Sequence, residues 1–429
     1  MRVLLAANAS YVPPRGGATR SNLFWLEELA AAGHCCRIVA ARLIHDPAGR
    51  LNQLRDEQIQ VTVERADPGD GVEVVRRGEI LVFSSAEPHV RLRLLREQIA
   101  EFNPDWVLVS SEDLGQVLLK EASLAAPGRV VYLAHTPQLF PFGPASWNPN
   151  PEGAEHVRAA AGVVAIGEHT AGYIAKHAGR QAAVIHPPIY GKPPFEMIPF
   201  EGRRFVAMIN PCAVKGISIF LALAREFPQV PFAALPGWGT TAADRRNLEA
   251  LPNVRLLPNV KHIRQMLEHT RILLMPSLWY EGFGLSVMEA MLYGIPVIAS
   301  DSGGLLEAKR GTRFVLPVRP IERYESVFDE HGLPTPVVPE QDMRPWCEAL
   351  QALLNEPELY REESEESYRR ALEFVASLRP GGMEQFLSRL EPAGAPAGSK
   401  PPKTSPLAAL SPEKRALLLK RLRNRSAQA

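Results

Sequence analysis

Residues 276–307 read PSLWYEGFGLSVMEAMLYGIPVIASDSGGLLE. The stretch joins a buried strand end, a glycine-containing turn, a helix and a second apolar strand. Two acids, Glu281 and Glu289, stand eight positions apart within it. Gly282 and Gly284 flank Phe283 where the chain must turn into the helix, which leaves backbone N–H groups open at that point. A helix N-terminus with free amides and a positive dipole end suits an anion such as a phosphate. Glu281 precedes the helix and Glu289 lies within it. One carboxylate is thus placed to face a ligand near the turn, and the other to accept hydrogen bonds deeper in a cleft, while Leu285, Met288 and Leu292 face a core.

This string resembles the E-x7-E signature of the retaining glycosyltransferases of family 4, which have the GT-B fold. The match includes Pro276-Ser277, the EGFGL turn at 281–285, EAM at 289–291, PVIAS at 296–300 and the GG of 303–304 with Glu307 behind it. The resemblance extends over residues 1 to 390. It implies that the acid at Glu289 holds the ribose of a nucleotide. Glu281 and the amides of Phe283, Gly284 and Leu285 would then contact the donor sugar and its phosphate.

Outside the signature the chain alternates short apolar runs with helical stretches, the pattern of parallel α/β sheets. The first series is Val3–Ala7, Arg37–Ala40, Trp106–Val109, Val130–Ala134, Val163–Ile166 and Ala183–Ile185, with a β-branched stretch at 59–83 read as extra strands or a hairpin insert. A Pro-rich linker occupies 187–199. The second series is Phe205–Ile209, Phe232–Leu235, Val254–Leu257, Ile272–Met275 and Pro296–Ala299. The expected fold is two doubly wound, Rossmann-like sheets facing a cleft at their carboxyl ends. The expected division is an acceptor-side domain over 1–190, a nucleotide-sugar-binding domain over 200–375, a closing helix at 376–391, a flexible linker at 392–410 and a basic amphipathic helix at 411–429.

At 429 residues, 46% of them hydrophobic, the chain can fill two cores. No apolar run reaches the 18 or so residues that cross a membrane, and the apolar stretch in MRVLLAANAS is too short for a signal-peptide core. A cytoplasmic location is expected. Cys35, Cys36, Cys212 and Cys347 form no metal spacing and no disulfide framework, so reduced thiols are expected.

Lys215-Gly216 follows the strand at 205–209 and opens a helix, which places an ammonium where it can neutralise a departing diphosphate. The element is similar to the family's G-R-x-x-x-x-K-G, but Asn210 stands in place of the Arg. That change removes a cation and leaves a hydrogen-bond donor, and the missing charge is expected at Arg20 or Arg15. Gly16-Gly17, between the first strand and first helix, let the backbone approach a phosphate or sugar closely. His135 ends the strand at 130–134 and is similar to the family residue that touches the donor sugar. Phe140, Phe142 and Trp147 behind it are read as the acceptor side, because rings stack on sugars and apolar acceptors. Gly237-Trp238-Gly239 matches a G-x-G turn near the nucleotide. It lacks the third glycine and the acid of a nicotinamide-binding fingerprint. Glu281, His135 and Lys215 are the expected catalytic residues. The expected donor contacts are Gly16, Gly17, Asn210, Lys215, Gly237, Phe283, Gly284, Leu285 and Glu289. No Asp-x-Asp occurs, so neither a metal nor any other cofactor is expected.

From Lys400 onward there are eight basic residues and one acid, a local charge of +7, so the overall +1 leaves −6 for the preceding 399 residues. Residues 392–406, PAGAPAGSKPPKTSP, lack core formers. SPEKRALLLKRLRNR then opens with Ser411 as an N-cap and Pro412 at the first helical position. The basic, leucine-faced helix has two readings, docking on an anionic membrane, peripherally at its inner surface, or docking on a synthetase. LSPEKRALLLKRL is similar to sequences that precede condensation domains of nonribosomal peptide synthetases, which implies natural-product assembly. The function implied is transfer of a sugar from a nucleotide diphosphate sugar to the hydroxyl of a small-molecule, lipid or carrier-bound acceptor, with retention and with no nucleic-acid partner. The alternatives are a non-catalytic scaffold subunit and a nucleotide-sugar 2-epimerase. Intact Glu281, Glu289 and Lys215 speak against the first, and the EGFGL…EAM string against the second.

Overall fold

The structure is a computed structural model that describes residues 1–14, 16–42, 61–67, 71–260 and 262–392. Arg15, and the linker and helix expected beyond residue 392, lie outside the described residues.

The first half runs β1 (Arg2–Ala6), α1 (Gly17–Ala31), β2 (Cys35–Ala41), β3 (Thr62–Asp67), β4 (Val72–Arg77), β5 (Ile80–Ser85), α2 (Pro88–Phe102), β6 (Trp106–Ser110), α3 (Val117–Ala125), β7 (Val130–Ala134), α4 (Pro151–Ala159), β8 (Gly162–Ala165), α5 (Glu168–Ala178) and β9 (Ala183–Val184). Its strands form one sheet in the order β3-β4-β5-β2-β1-β6-β7-β8-β9. β3, β4 and β5 form an antiparallel meander, and β5 joins the parallel part beside β2. Within the β-branched stretch at 59–83, residues 62–67 and 72–83 therefore extend the sheet. Central strands such as β1, β6 and β7 are apolar along their length because helices cover both faces.

The second half runs β10 (Phe205–Ile209), α6 (Ile217–Glu226), β11 (Phe232–Leu235), α7 (Ala242–Glu249), β12 (Val254–Leu256), α8 (Ile263–Leu267), β13 (Thr270–Met275), α9 (Leu285–Leu292), β14 (Val297–Ser300), α10 (Leu305–Ala308) and β15 (Val315–Leu316). After these come a hairpin, β16 (Tyr324–Phe328) and β17 (Pro334–Pro336), and the helices α11 (Arg344–Asn355), α12 (Pro357–Ser377) and α13 (Gly382–Arg389). The parallel order is β12-β11-β10-β13-β14-β15. Strand order reverses at β1/β6 in the first sheet and at β10/β13 in the second. Loops leaving the carboxyl ends there open a crevice, where such sheets bind ligands.

α13 leaves the second half and packs on the first sheet. Met383 and Leu387 join the core of Val3, Leu5 and Trp25, and His34 Nε2 lies 2.8 Å from Glu384. Arg203 fastens the linker to the second half. It donates to the Gly294 carbonyl at 2.6 Å, to the Tyr360 hydroxyl at 3.0 Å and to the Ile198 carbonyl.

Lys309 and Glu363 form an ion pair at 3.4 Å that is fully buried on both sides. Burial pulls the Lys309 ammonium down to about 8, against the opposing pull of Glu363. Its Nζ also donates to the Val297 carbonyl at 2.5 Å, which ties α10 to β14. Removing one partner leaves an uncompensated buried charge. Glu363→Ala is therefore expected to lower stability by about 3–5 kcal/mol, whereas Lys309→Met with Glu363→Leu is expected to be near neutral. Denaturant midpoints of the two variants check this, and equal losses in both would contradict it.

No helix among the described residues is long and apolar enough to cross a membrane. The four cysteines are free thiols.

Candidate active site

Lys215 is positioned by a glycine. After β10 the chain turns through Asn210 (φ 53°) and a single short helical turn at 213–215, then through Gly216 at φ 81°. A Cβ on Gly216 would lie 1.9 Å from the Pro276 carbonyl oxygen, so only glycine allows this loop to press against the strand end at 276–281. Lys215 Nζ consequently reaches Glu281 Oε1 at 2.5 Å and sits 4.5 Å from the Trp279 ring centroid. The same carboxylate oxygen accepts from the Ser277 hydroxyl and from Trp279 Nε1 at 2.9 Å. Glu281 is buried, and its charge is held by one cation and two neutral donors.

Beyond Glu281 the turn depends on close backbone approach. A Cβ on Gly282 would fall 1.9 Å from the His135 carbonyl oxygen, and Thr170 of α5 donates to the Gly282 carbonyl at 3.0 Å. Gly284 caps α9 at φ 114°. Among the described residues the amides of Phe283 and Gly284 have no hydrogen-bond partner. They form an anion-accepting end on a buried helix. One turn into that helix Glu289 is buried, and its Oε1 accepts from Arg20 Nη2 at 2.9 Å. Arg20 belongs to α1 of the first half, so this pair spans the crevice. The neighbouring carboxylate raises the Arg20 pKa.

The glycines of the first half lie opposite. Gly16 caps α1 at φ 89°, and a Cβ on Gly17 would touch Leu285 Cδ1 at 3.0 Å. Leu285 is half-buried and faces this contact while it packs on the core. On the other side Asn210 Oδ1 accepts from Gly239 N at 2.9 Å, and a Cβ on Gly237 would meet the same oxygen at 2.6 Å. Asn210 thus braces the Gly237-Trp238-Gly239 turn, while its buried Nδ2 has no partner. Lys215, Glu281, Glu289, Arg20, Gly16, Gly17, Phe283, Gly284 and Leu285 converge on one crevice. The Gly237 turn flanks it through Asn210.

His135 touches Gly282 through its carbonyl, but its ring bonds Asn22 and not the Lys215–Glu281 pair. Its ring is buried, stacks on Trp25 with centroids 6.1 Å apart, and places Nε2 2.8 Å from Asn22 Oδ1. Asn22 Nδ2 donates to the Tyr11 hydroxyl and to Ser110 Oγ, so its oxygen is the acceptor and His135 carries its proton on Nε2. Nδ1 is left as a buried lone pair without a partner. Burial lowers the His135 pKa from 6.5 to about 3. The folded chain therefore binds fewer protons than the unfolded chain between those values, and stability from this group falls as pH drops through that window. His135→Gln is expected to flatten the acid side of the melting-temperature profile. An unchanged profile would contradict it.

An aromatic wall encloses the Lys215–Glu281 pair. Trp279 lies 5.9 Å from Trp147 and 5.7 Å from Trp238, and Trp147 meets Tyr324 of the β16–β17 hairpin at 5.6 Å. Of the three rings assigned to an acceptor side, only Trp147 reaches this wall. Phe140 and Phe142 are buried in the first core against Tyr132 and Tyr173, because the Pro-rich loop folds back onto β7 and α5. Ser277 and Trp238 lie in the Pro276-Ser277 and Gly237-Trp238-Gly239 elements noted from the sequence, whereas Trp279 and Tyr324 were not singled out. Trp279, two places before Glu281 in the signature, had a local signal that could have found it.

No curated protein sequence matches this chain. Residues 205–356 match the family model described as Glycosyl transferases group 1. Among solved structures, HepE from Anabaena in complex with UDP and glucose is 16% identical, with a TM-score of 0.63 over 91% of this chain and 100% of that one. Sucrose-phosphate synthase from Thermosynechococcus elongatus is also 16% identical, with a TM-score of 0.65 over 90% and 99%. A TarM variant from S. aureus, in complex with UDP, α-GlcNAc-glycerol and fondaparinux, is 11% identical, with a TM-score of 0.62 over 90% and 99%. The chain has the GT-B fold, and the part that carries Lys215, Glu281 and Glu289 matches the group 1 glycosyl transferase model.

Proposed function

We propose that this protein is a metal-independent, retaining glycosyltransferase of the E-x7-E type that moves a sugar from a nucleotide diphosphate sugar to a hydroxyl acceptor. The observation that carries the reading is the set of Lys215, Glu281 and Glu289 around the open amides of Phe283 and Gly284. Ribose hydroxyls donate to Glu289, and sugar hydroxyls donate to Glu281. As the bond between the anomeric carbon and the phosphate oxygen breaks, the charge that grows on the diphosphate is met by Lys215 and the α9 amides. The His135 Nδ1 lone pair serves as an acceptor for a hydroxyl of the donor sugar. That structural neighbours were solved with UDP supports a nucleotide donor. The basic segment at 411–429 delivers the enzyme to a carrier-bound or membrane-bound acceptor, on a synthetase or an anionic membrane.

Nucleotide release from a panel of UDP-, ADP- and GDP-sugars tests the assignment. Release with at least one donor, dependent on Lys215, is expected. Full activity is also expected in excess EDTA, because Lys215 and the helix end carry the diphosphate charge. A strict requirement for Mg²⁺ or Mn²⁺ would sink the metal-independent mechanism.

A further inference from the structure

Each carboxylate of the crevice is already matched by a cation. Glu281 holds Lys215 at 2.5 Å and Glu289 holds Arg20 at 2.9 Å, so these two carboxylates are balanced pair by pair. A nucleotide diphosphate sugar brings hydroxyls that donate and phosphates that accept. When it enters, each pair can exchange partners. The carboxylate turns to hydroxyls and the cation turns to phosphate oxygens, and no group is left bare. For the first pair this exchange is the reading given above. The second pair has the same form, and its cation comes from the opposite half of the molecule.

We propose that Arg20 is a diphosphate-binding residue supplied by the first domain, which releases Glu289 to the ribose and takes the donor's phosphates as the cleft closes on it. This rests on the glycosyltransferase reading. Three observations support it. Arg20 lies on α1 one turn beyond Gly16 and Gly17, where the backbone comes within contact distance of Leu285 at the N-terminus of α9. Its side chain is 43% exposed whereas that of Glu289 is 8% exposed, so the cation is the partner open to an incoming ligand and the carboxylate the enclosed one. The guanidinium presents five N–H donors in a planar fork suited to phosphate, and bonding to Glu289 uses only part of them. On the second-domain side, Asn210 contributes an amide instead of a charge, and its oxygen is committed to Gly239. From that side the diphosphate would then meet the Lys215 ammonium and the neutral α9 amides. Tyr190, from the linker, is buried beside this pair with its hydroxyl unpartnered, so a second polar group stands ready for the ligand.

The test is calorimetric titration of the full chain with UDP, ADP and GDP, each compared with its monophosphate and nucleoside. Arg20→Ala is made alone and in a Glu289→Gln background, with Lys215→Ala as the control. The Glu289→Gln background matters because Arg20→Ala by itself leaves a bare carboxylate that would repel phosphate. Loss of about 10- to 100-fold in diphosphate affinity is expected for Arg20→Ala in both backgrounds, with nucleoside affinity changed little. If Arg20→Ala is silent in the Glu289→Gln background while Lys215→Ala still weakens the diphosphate, Arg20 only neutralises Glu289 and the inference is wrong. If no nucleotide binds the unaltered chain, or Lys215→Ala is silent as well, the glycosyltransferase reading falls with it.

Discussion

Glu289→Ala is expected to lower kcat/KM for sugar transfer by about 30- to 1000-fold in a protein that remains folded. The range corresponds to the roughly 2–4 kcal/mol carried by two charge-assisted hydrogen bonds to ribose hydroxyls. The carboxylate is buried on α9, while Val287, Met288, Met291 and Leu292 anchor that helix in the core. Truncating Glu289 removes no apolar packing, so the melting temperature should move little while transfer collapses. Steady-state kinetics with the active donor decide the matter. Undiminished activity in the folded variant would reject the ribose assignment.

Lys215→Ala should reduce turnover by about 100- to 1000-fold, the scale seen when a preorganised charge-stabilising group is removed. The loss has two sources. The departing diphosphate loses its nearest cation, and Glu281 keeps only Ser277 and Trp279 as donors to its charged oxygen. A bare carboxylate would then face the phosphates. Lys215→Ala with Glu281→Gln removes that repulsion, so it should recover part of the nucleotide affinity without recovering turnover. A single-turnover rate equal to that of the unaltered enzyme would remove Lys215 from the mechanism.

The parallel sheets were legible because their strands are buried on both faces. Val130–Ala134, Phe205–Ile209 and Phe232–Leu235 are apolar runs with abrupt ends. The 281–289 segment was legible because its glycines and acids keep fixed local spacing. The β16–β17 hairpin was missed. Its second strand is Pro334-Thr335-Pro336, too short for alternation and two-thirds proline, and Val327 and Phe328 stay exposed. The Lys309–Glu363 pair was also hidden, since Lys309 sits in the polar string AKRGT and reads as solvated. Arg20 and Glu289 are 269 positions apart. Local periodicity carries no information about such a pair, and only the closing of two sheets on each other makes it.

The return of α13 to the first sheet makes the second domain an insertion within the first rather than a successor to it. The chain crosses between the halves once after β9 and again between α12 and α13. The two crossings run side by side, with Gly382 within 3.4 Å of Ile185 measured from a built Cβ. Two adjacent tethers form a hinge with one axis. Any opening of the halves is then expected to follow that axis, because twisting or sliding past each other would strain one tether. Limited proteolysis should reflect this. A single cut in 378–381 would leave the halves joined through 185–199, and only cleavage of both crossings would free residues 200–377 as a separate body.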